Sequence, residues 1–376
     1  MNRLITVYDD KEPLNNVINE LSFDVDEVFY VYHHEVSRTS FNNISKVIRN
    51  HKDITLRFIQ LEDDIKQLNE FIDDDTIIDV GGAKYLSLLL FDMCRDRDNL
   101  IIYYDDEENT IKDYRSHSPL DIEVFKLSIE DVLTLRGGEI VSQLHHNVTE
   151  KENKDIVVRM VESNLDDYSN FIRYMTLVNN KMTDNNYLGN YEYRINKNDY
   201  AQLVSENHFN HIDELFELKN DRISFKNKKL KDIVTVSGTF LENYLYIKLK
   251  ETNYFDDIMM SVVIDFSDDK YSHPVRCEID CLIIKDNQLL LTSCKSSRAS
   301  TDDLNEIYVH NKMFGNCQSK PVIFVGEELD HRYPSIFAKG IELGIYIVDK
   351  SAILNDGVGR EFKNIIEDTY EYDQLI

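Results

Sequence analysis

No apolar run in this 376-residue chain approaches the ~18–20 residues that a membrane-spanning helix needs. The first residues carry no charged-then-apolar leader, so neither a membrane anchor nor a secretory signal is expected. Cysteine is scarce: five residues, an odd number without secretory context, argue against a disulfide framework and for a reduced, cytoplasmic setting. Positive charge is also in deficit, with 42 Lys and Arg against 69 Asp and Glu, for a formal charge of −27. Such a balance excludes a protein that coats itself in nucleic acid by long-range attraction, while leaving room for a local basic channel. Internal repeats, proline-rich linkers and low-complexity tracts are all missing.

Absent motifs narrow the field further. No G-x-G-x-x-G follows the first strand-like run and no G-x-x-x-x-G-K-(S/T) occurs anywhere, which argues against a nucleotide cofactor site. Without G-x-S-x-G or a Ser/His/Asp constellation, an α/β hydrolase or transferase has no support. The paired His33-His34 and His145-His146 read as solvated loops. What is present is 42 % apolar and 30 % charged residues, over a length that accommodates two or three cores.

Residues 1–128 alternate short β-rich runs with amphipathic stretches. Leu4–Tyr8, Val28–Tyr32, Ile54–Ile59, Ile77–Val80 and Leu100–Tyr104 are apolar on consecutive positions, as strands buried on both faces are. Pro13–Leu21, Phe41–Ile48 and Ile65–Phe71 alternate with them, which predicts a doubly wound, Rossmann-like α/β domain. Ligands of such sheets bind outside the carboxyl ends of the strands. Two stretches occupy that rim: Tyr8–Pro13 after the first strand, and Asp79–Lys84 after the fourth. Gly81 and Gly82 let backbone N–H groups approach an anion, the following helix adds partial positive charge, and Lys84 adds a full one. A purely structural strand-to-helix turn has the same pattern.

Residues 141–232 read as a helical connector, possible as a winged-helix-like unit, with a helix over Ile156–Met175, shorter helical pieces over Tyr200–Phe216 and a strand at Arg222–Phe225. Lys219, Arg222, Lys226, Lys228, Lys229 and Lys231 make one locally basic stretch, and Lys295 with Arg298 a second; a solvated loop explains them equally well.

Cys277–Ser297 (CEIDCLIIKDNQLLLTSCKSS) is the most informative segment. Cys277–Ile284 and Gln288–Lys295 alternate on either side of Asp286-Asn287, residues that tolerate left-handed backbone, so a β-hairpin is predicted. A period of two puts Cys277, Ile279, Cys281 and Ile283 on one face and Glu278 and Asp280 on the other. Cross-strand pairing then sets Asp280 opposite Ser293 and Glu278 opposite Lys295. Cys277 and Cys281 lie roughly 13 Å apart along an extended strand, too far to share a zinc ion. Two carboxylates, a hydroxyl and an ammonium on one face suit Mg²⁺ or Mn²⁺ and phosphate chemistry. An ordinary surface strand with a Glu–Lys pair suits them too.

Upstream, Ser237–Tyr244 (SGTFLENY) opens a helical pattern, and Asp280 and Lys295 follow in order. This succession resembles the PD-(D/E)xK nuclease core. More narrowly, it is similar to the ancillary nucleases of type III CRISPR systems that join a CARF sensor domain to such a core. Their pattern is roughly G-x-x-L-E, then E-(I/V)-D-(V/C), then I-E-C-K; Gly238–Glu242, Glu278–Cys281 and Thr292–Lys295 stand in those places, with Ser293 where glutamate is usual. Val80-Gly81-Gly82-Ala83-Lys84 resembles the CARF signature T-G-G-T-K, with Val and Ala for the two threonines. Asp10–Asn16 and Leu127–Gly137 resemble that domain's first loop and exit segment.

The resemblance spans nearly the whole chain. It implies a CARF sensor at 1–140, a connector at 141–232 and a restriction-endonuclease-like mixed α/β nuclease at 233–376. It further implies a homodimer that binds cyclic oligoadenylate, most often tetra-adenylate, through Asp10, Lys11, Gly81, Gly82, Ala83 and Lys84. The nuclease would use Mg²⁺ or Mn²⁺ to cut single-stranded RNA or DNA, with Asp280 as central ligand, the Cys294 backbone carbonyl as another, and Glu242 acting through water or on a second ion. Lys295 would position the attacking water and the scissile phosphate. With serine at 293, three arrangements stand open: Ser293 holds a metal-bound water, Glu278 supplies the second carboxylate, or the enzyme is weak or dead. The rival is a catalytically inert, cyclic-nucleotide-responsive regulator that binds nucleic acid.

Overall fold

The order of strands in the first sheet already marks where a ligand can sit. The computed structural model describes residues 2–370 apart from 10–11, 34–35, 62–64, 83, 144–147, 237, 267–274, 317, 330–332 and 356. It begins with β1 (Arg3–Val7), α1 (Pro13–Ser22), β2 (Glu27–Tyr32), α2 (Arg38–His51), β3 (Thr55–Gln60), β4 (Ile77–Asp79), α3 (Lys84–Cys94), β5 (Ile101–Asp105) and β6 (Thr110–Asp113). The sheet order is β3-β2-β1-β4-β5-β6, parallel except for the antiparallel edge β6. The five runs expected as strands are strands, and the consecutive apolar positions of β1 and β2 are buried on both faces by helices. The strand order reverses between β1 and β4, where a doubly wound sheet opens a crevice.

A short helix, α4 (Ile129–Leu135), starts at a Ser128–Asp131 capping box. It leads into β7 (Glu139–Gln143), which pairs across the molecule with the third sheet. Between them in sequence comes a mixed unit: α5 (Lys151–Ser163), α6 (Tyr168–Asn180), β8 (Tyr187–Gly189), β9 (Glu192–Arg194), α7 (Lys197–Glu206), α8 (Ile212–Leu215), β10 (Phe216–Lys219), β11 (Arg222–Phe225) and α9 (Lys228–Thr235). The single helix expected over 156–175 is interrupted at Asn164, whose buried amide caps the Met160 carbonyl and reaches Asn210. Four short strands, β10-β11-β9-β8, were not legible beyond Arg222–Phe225. Their turns, Asn190-Tyr191 and Asn220-Asp221, adopt positive φ at both residues, and Tyr191 is not a residue that signals such a turn.

The third sheet is mixed, in the order β16-β15-β14-β13-β12-β7. It is built from α10 (Thr239–Glu251), β12 (Asp257–Asp265), β13 (Arg276–Lys285), β14 (Gln288–Lys295), α11 (Thr301–Phe314), β15 (Lys320–Val325), α12 (Pro334–Leu343), β16 (Tyr346–Val348), α13 (Lys350–Leu354) and α14 (Val358–Ile366). One apolar core joins a face of this sheet to α11, α12, α4 and the helices α1 and α2 of the first sheet; a second joins the other face to α10, α14 and the middle unit. The hairpin forms as expected, with Asp286 and Asn287 at φ 49° and 66°. Its tip is not free. The buried Asn287 side chain accepts from Leu127 N–H (2.8 Å) and donates to the Phe125 carbonyl (2.9 Å), while Lys126 bridges Asp256 and Asp286. Among the described residues no helix is long and apolar enough to cross a membrane, and Cys94, Cys277, Cys281 and Cys294 are free thiols.

Candidate active site and sheet rim

Asp280 is the hub of the third sheet's site. The β13–β14 ladder ends one residue earlier, at Cys281–Thr292. Beyond it the Asp280 Oδ2 becomes the acceptor, taking the Cys294 N–H at 2.7 Å and the Ser293 hydroxyl at 3.3 Å. Burial raises this carboxyl above its ordinary range, opposed by the Cys294 N–H and the Lys295 charge. Glu242 comes from the first turn of α10, whose Leu241, Tyr244, Leu245 and Leu249 are buried against the sheet. Its carboxyl is pushed up to about 7, first by burial and then by the charge of Asp280; a 2.9 Å hydrogen bond from the Ser261 hydroxyl and the Lys295 charge pull it back. Glu278 is raised by partial burial and by Asp280.

Lys295 reaches the same neighbourhood from β14. Burial alone would lower its pKa, yet the ammonium ends above its usual value because it pairs with Asp303 of α11 at 2.9 Å, with Asp280 and Glu306 contributing. The expected cross-strand Glu278–Lys295 pair does not form, because the strands part before reaching it and Asp303 lies closer. Glu278, Asp280, Ser293 and Lys295 line one cleft of about 50 Å³ together with Glu306 and His310. That volume holds a few waters or a partly hydrated ion. His310 is kept on the neutral side by burial, against the pull of Glu306 and Asp280.

The strict alternation expected along the hairpin breaks at this point. Cys277 and Ile279 pack in the core shared with α11, whereas Cys281 and Ile283 pack in the core under α10. Neighbouring β12 changes face too: Ile258 joins the second core, Val262 and Ile264 the first. The break coincides with Ser261, which has φ 50° and lies between the pairs Met260–Cys281 and Val262–Ile279, hence across from Asp280. One left-handed residue inside a strand shifts the phase of alternation.

Among the described residues no three His, Cys, Asp or Glu side chains converge closely enough to hold an ion by themselves. Asp280 and Glu242 nevertheless offer two hard-oxygen groups whose ionisation is opposed by burial and, for Glu242, by the charge of Asp280. Mg²⁺ binds proteins through one or two carboxylates and keeps several waters, so this donor set fits such an ion.

The other candidate site lies at the β1/β4 crevice. Asp79 is fully buried and accepts from the Thr6 hydroxyl (2.7 Å) and the Gly81 N–H (2.9 Å). Asn16 of α1 donates to the Val7 carbonyl (3.0 Å) and accepts from Asp9 N–H (3.2 Å), so both rim loops hang from one buried network. A Cβ on Gly82 would stand 1.8 Å from the Val7 carbonyl oxygen, which leaves no room for any side chain there. Asp10, Lys11 and Ala83 lie outside the described residues, as does the side chain of Lys84. Glu12, next in the loop, pairs with Arg136 at the end of α4 at 2.7 Å.

Residues 231–316, which contain Glu242, Asp280, Ser293 and Lys295, match the family described as "Card1-like, endonuclease domain". This segment is similar to Card1-like endonuclease domains. No curated protein sequence matches the chain. Solved structures align over nearly its whole length: protein VC1899 from Vibrio cholerae has a TM-score of 0.77 at 13 % identity, covering 98 % of this chain and 99 % of that one. Can2 from Sulfobacillus thermosulfidooxidans, in complex with cyclic tetra-adenylate, has 0.69 at 16 %, covering 97 % and 99 %. A type III CRISPR defence DNA nuclease activated by cyclic oligoadenylate has 0.52 at 10 %, covering 92 % of this chain and 50 % of that one. In fold, the chain joins a Rossmann-like α/β unit to a second, mixed α/β unit, as expected.

The matched segment also contains residues that sequence alone did not single out. Glu306 and His310 line the cleft, Asp303 holds its Lys295, and Ser261 holds Glu242. Asp303 had a visible cue, the Ser300-x-x-Asp303 capping box, but that cue predicts a helix start rather than a lysine anchor. At the β1/β4 rim, Thr6 was hidden as a polar residue within an apolar strand, while Asp79 and Asn16 lay in stretches already singled out, without their buried hydrogen bonds being legible.

Proposed function

We propose that the protein is a cyclic-oligoadenylate-activated, metal-dependent endonuclease that cuts single-stranded RNA or DNA in type III CRISPR antiviral defence. The observation that carries this reading is the cleft that Asp280 and Lys295 line within the matched segment, together with a Glu242 whose carboxyl is pushed up to about 7 by burial and by the charge of Asp280 and pulled back by that of Lys295. Asp280, Glu242 and the Cys294 carbonyl would hold Mg²⁺ or Mn²⁺, which when bound supplies Lewis-acid stabilisation of charge on the phosphate. Ser293 and the Cys294 N–H orient the Asp280 carboxylate. Lys295, balanced between Asp280 and Asp303, steers the attacking water and the scissile phosphate. The Ser293 hydroxyl contact to Asp280 supports an orienting role for Ser293, which differs from the three arrangements set out above.

In the same proposal residues 1–140 are the sensor, 141–232 the connector and 233–376 the nuclease. The activator, cyclic tetra-adenylate, sits at the β1/β4 crevice across two copies of the sensor, on Asp10, Lys11, Gly81, Gly82, Ala83 and Lys84. Support for a homodimer comes from α3, which opens beside that crevice and turns Tyr85 and Leu88 outward at 69 % and 61 % exposure. Support for coupling comes from two connections. Glu12 in the rim loop pairs with Arg136, and the chain runs from there into β7, which pairs with β12 at Val262, the residue after Ser261. The sensor's exit segment also grips the hairpin tip through Asn287.

Incubating the protein with labelled single-stranded RNA and DNA, with and without cyclic tetra-adenylate and Mn²⁺, tests the reading. Cleavage that needs both additions and disappears in Asp280→Ala is expected. The inert-regulator reading predicts ligand binding without any cleavage; the Lys295–Asp303 pair, which draws the ammonium toward α11, is the observation in its favour.

A further inference from the structure

Ser261 combines two properties that seldom occur together. Among the described residues, twelve non-glycine positions have positive φ: Asn109, His117, Asn190, Tyr191, His211, Asn220, Asp221, Asn253, Ser261, Asp286, Asn287 and Asp368. Eleven lie in turns, loops or helix ends; Ser261 alone lies inside a strand. A non-glycine residue in that conformation costs backbone energy unless its surroundings impose it, and such residues gather at functional sites. Ser261 is also 1 % exposed, so no water compensates its hydroxyl. That hydroxyl donates to Glu242 Oε2 at 2.9 Å.

We infer that Ser261 is a positioning residue for the nuclease reaction, holding the Glu242 carboxylate over Asp280 at the expense of backbone strain in β12. The inference rests on the nuclease reading above and deepens it. Three observations support it independently of one another. Position 261 faces Asp280 across the β12–β13 ladder, between two formed pairs. The alternation of both strands changes phase there, which lets an acid from α10, on one side of the sheet, meet Asp280 and a lysine whose anchor lies on α11, on the other. Glycine would satisfy the left-handed backbone without cost, so the serine contributes something other than conformation. The hydrogen bond to Glu242 is what it contributes. Groups that orient metal-binding carboxylates in this way typically change metal affinity or activity by roughly 10–100-fold when removed.

The decisive variants are Ser261→Gly and Ser261→Ala in the full-length protein, compared by thermal unfolding, by Mn²⁺ binding in calorimetry without substrate, and by cleavage. Ser261→Gly is expected to keep or raise the melting temperature while weakening Mn²⁺ binding roughly 10–100-fold. Ser261→Ala, which keeps the strained backbone, is expected to lose Mn²⁺ affinity equally and to melt lower than the glycine variant. Added to Glu242→Gln, Ser261→Gly should weaken Mn²⁺ binding no further, because the bond it removes is already altered. Unchanged Mn²⁺ affinity in Ser261→Gly overturns the inference, as does full additivity with Glu242→Gln. A wild type that binds Mn²⁺ no better than Asp280→Ala defeats the nuclease reading itself, which separates the two failures.

Discussion

Glu242 carries a burden that its neighbours create. A carboxyl whose folded pKa of about 7 exceeds its ordinary 4.5 binds protons more tightly in the native state than in the unfolded chain. Between about pH 4.5 and 7 the native state therefore holds more protons, and this group's contribution to stability falls as pH rises through that window. The expected outcome is that wild-type stability, measured relative to Glu242→Gln by denaturant unfolding, declines from pH 4.5 to 7 without metal. Mn²⁺ should abolish the decline by favouring the ionised form. Parallel curves for the two proteins would contradict the assignment. At this scale the sequence was partly legible. Glu242, Asp280 and Lys295 stood out because their order and residue types have a chemical purpose. Ser261 did not, because nothing in the letters SVVID announces a positive φ; Asp303 and His310 did not, because the side of α11 that meets β14 is decided by packing.

Elements were more legible than their faces. The hairpin at Asp286-Asn287 followed from two residues that accept left-handed backbone, and the parallel strands of the first sheet followed from consecutive apolar positions. The period of two failed at Asp280, since a local phase shift is a backbone event that a hydrophobic pattern records only faintly. Three of the four antiparallel strands of the middle unit, β8, β9 and β10, were missed because they are three or four residues long, too short to establish alternation. At the rim, Gly82 gives an element-scale prediction. Because a Cβ there would collide with the Val7 carbonyl, Gly82→Ala must displace the loop between β4 and α3. Calorimetry with cyclic tetra-adenylate should show affinity reduced at least tenfold, with cleavage by the nuclease cleft losing its ligand response. Unchanged affinity would argue that the ligand does not use this loop.

Across the whole molecule, the two candidate sites are tied by a shared apolar core and by polar contacts at the hairpin tip. Asn287→Gly keeps the left-handed turn and removes the side chain that grips Phe125 and Leu127. Two hydrogen bonds of this kind contribute about 1–3 kcal/mol in total. The variant should bind cyclic tetra-adenylate normally and fold stably, yet show a weaker ratio of stimulated to basal cleavage; an unaltered ratio would place the coupling elsewhere, with β7 the remaining route. Net charge belongs to this scale as well. At −27, the surface repels nucleic acid at a distance, so substrate binding should depend on the cleft and on bound cations rather than on broad attraction. The account stands or falls on cleavage of labelled single-stranded RNA and DNA by wild type and Asp280→Ala, each with Mn²⁺ and cyclic tetra-adenylate. It predicts stimulated cutting by the wild type and none above background by the variant; equal cutting by both proteins would contradict it.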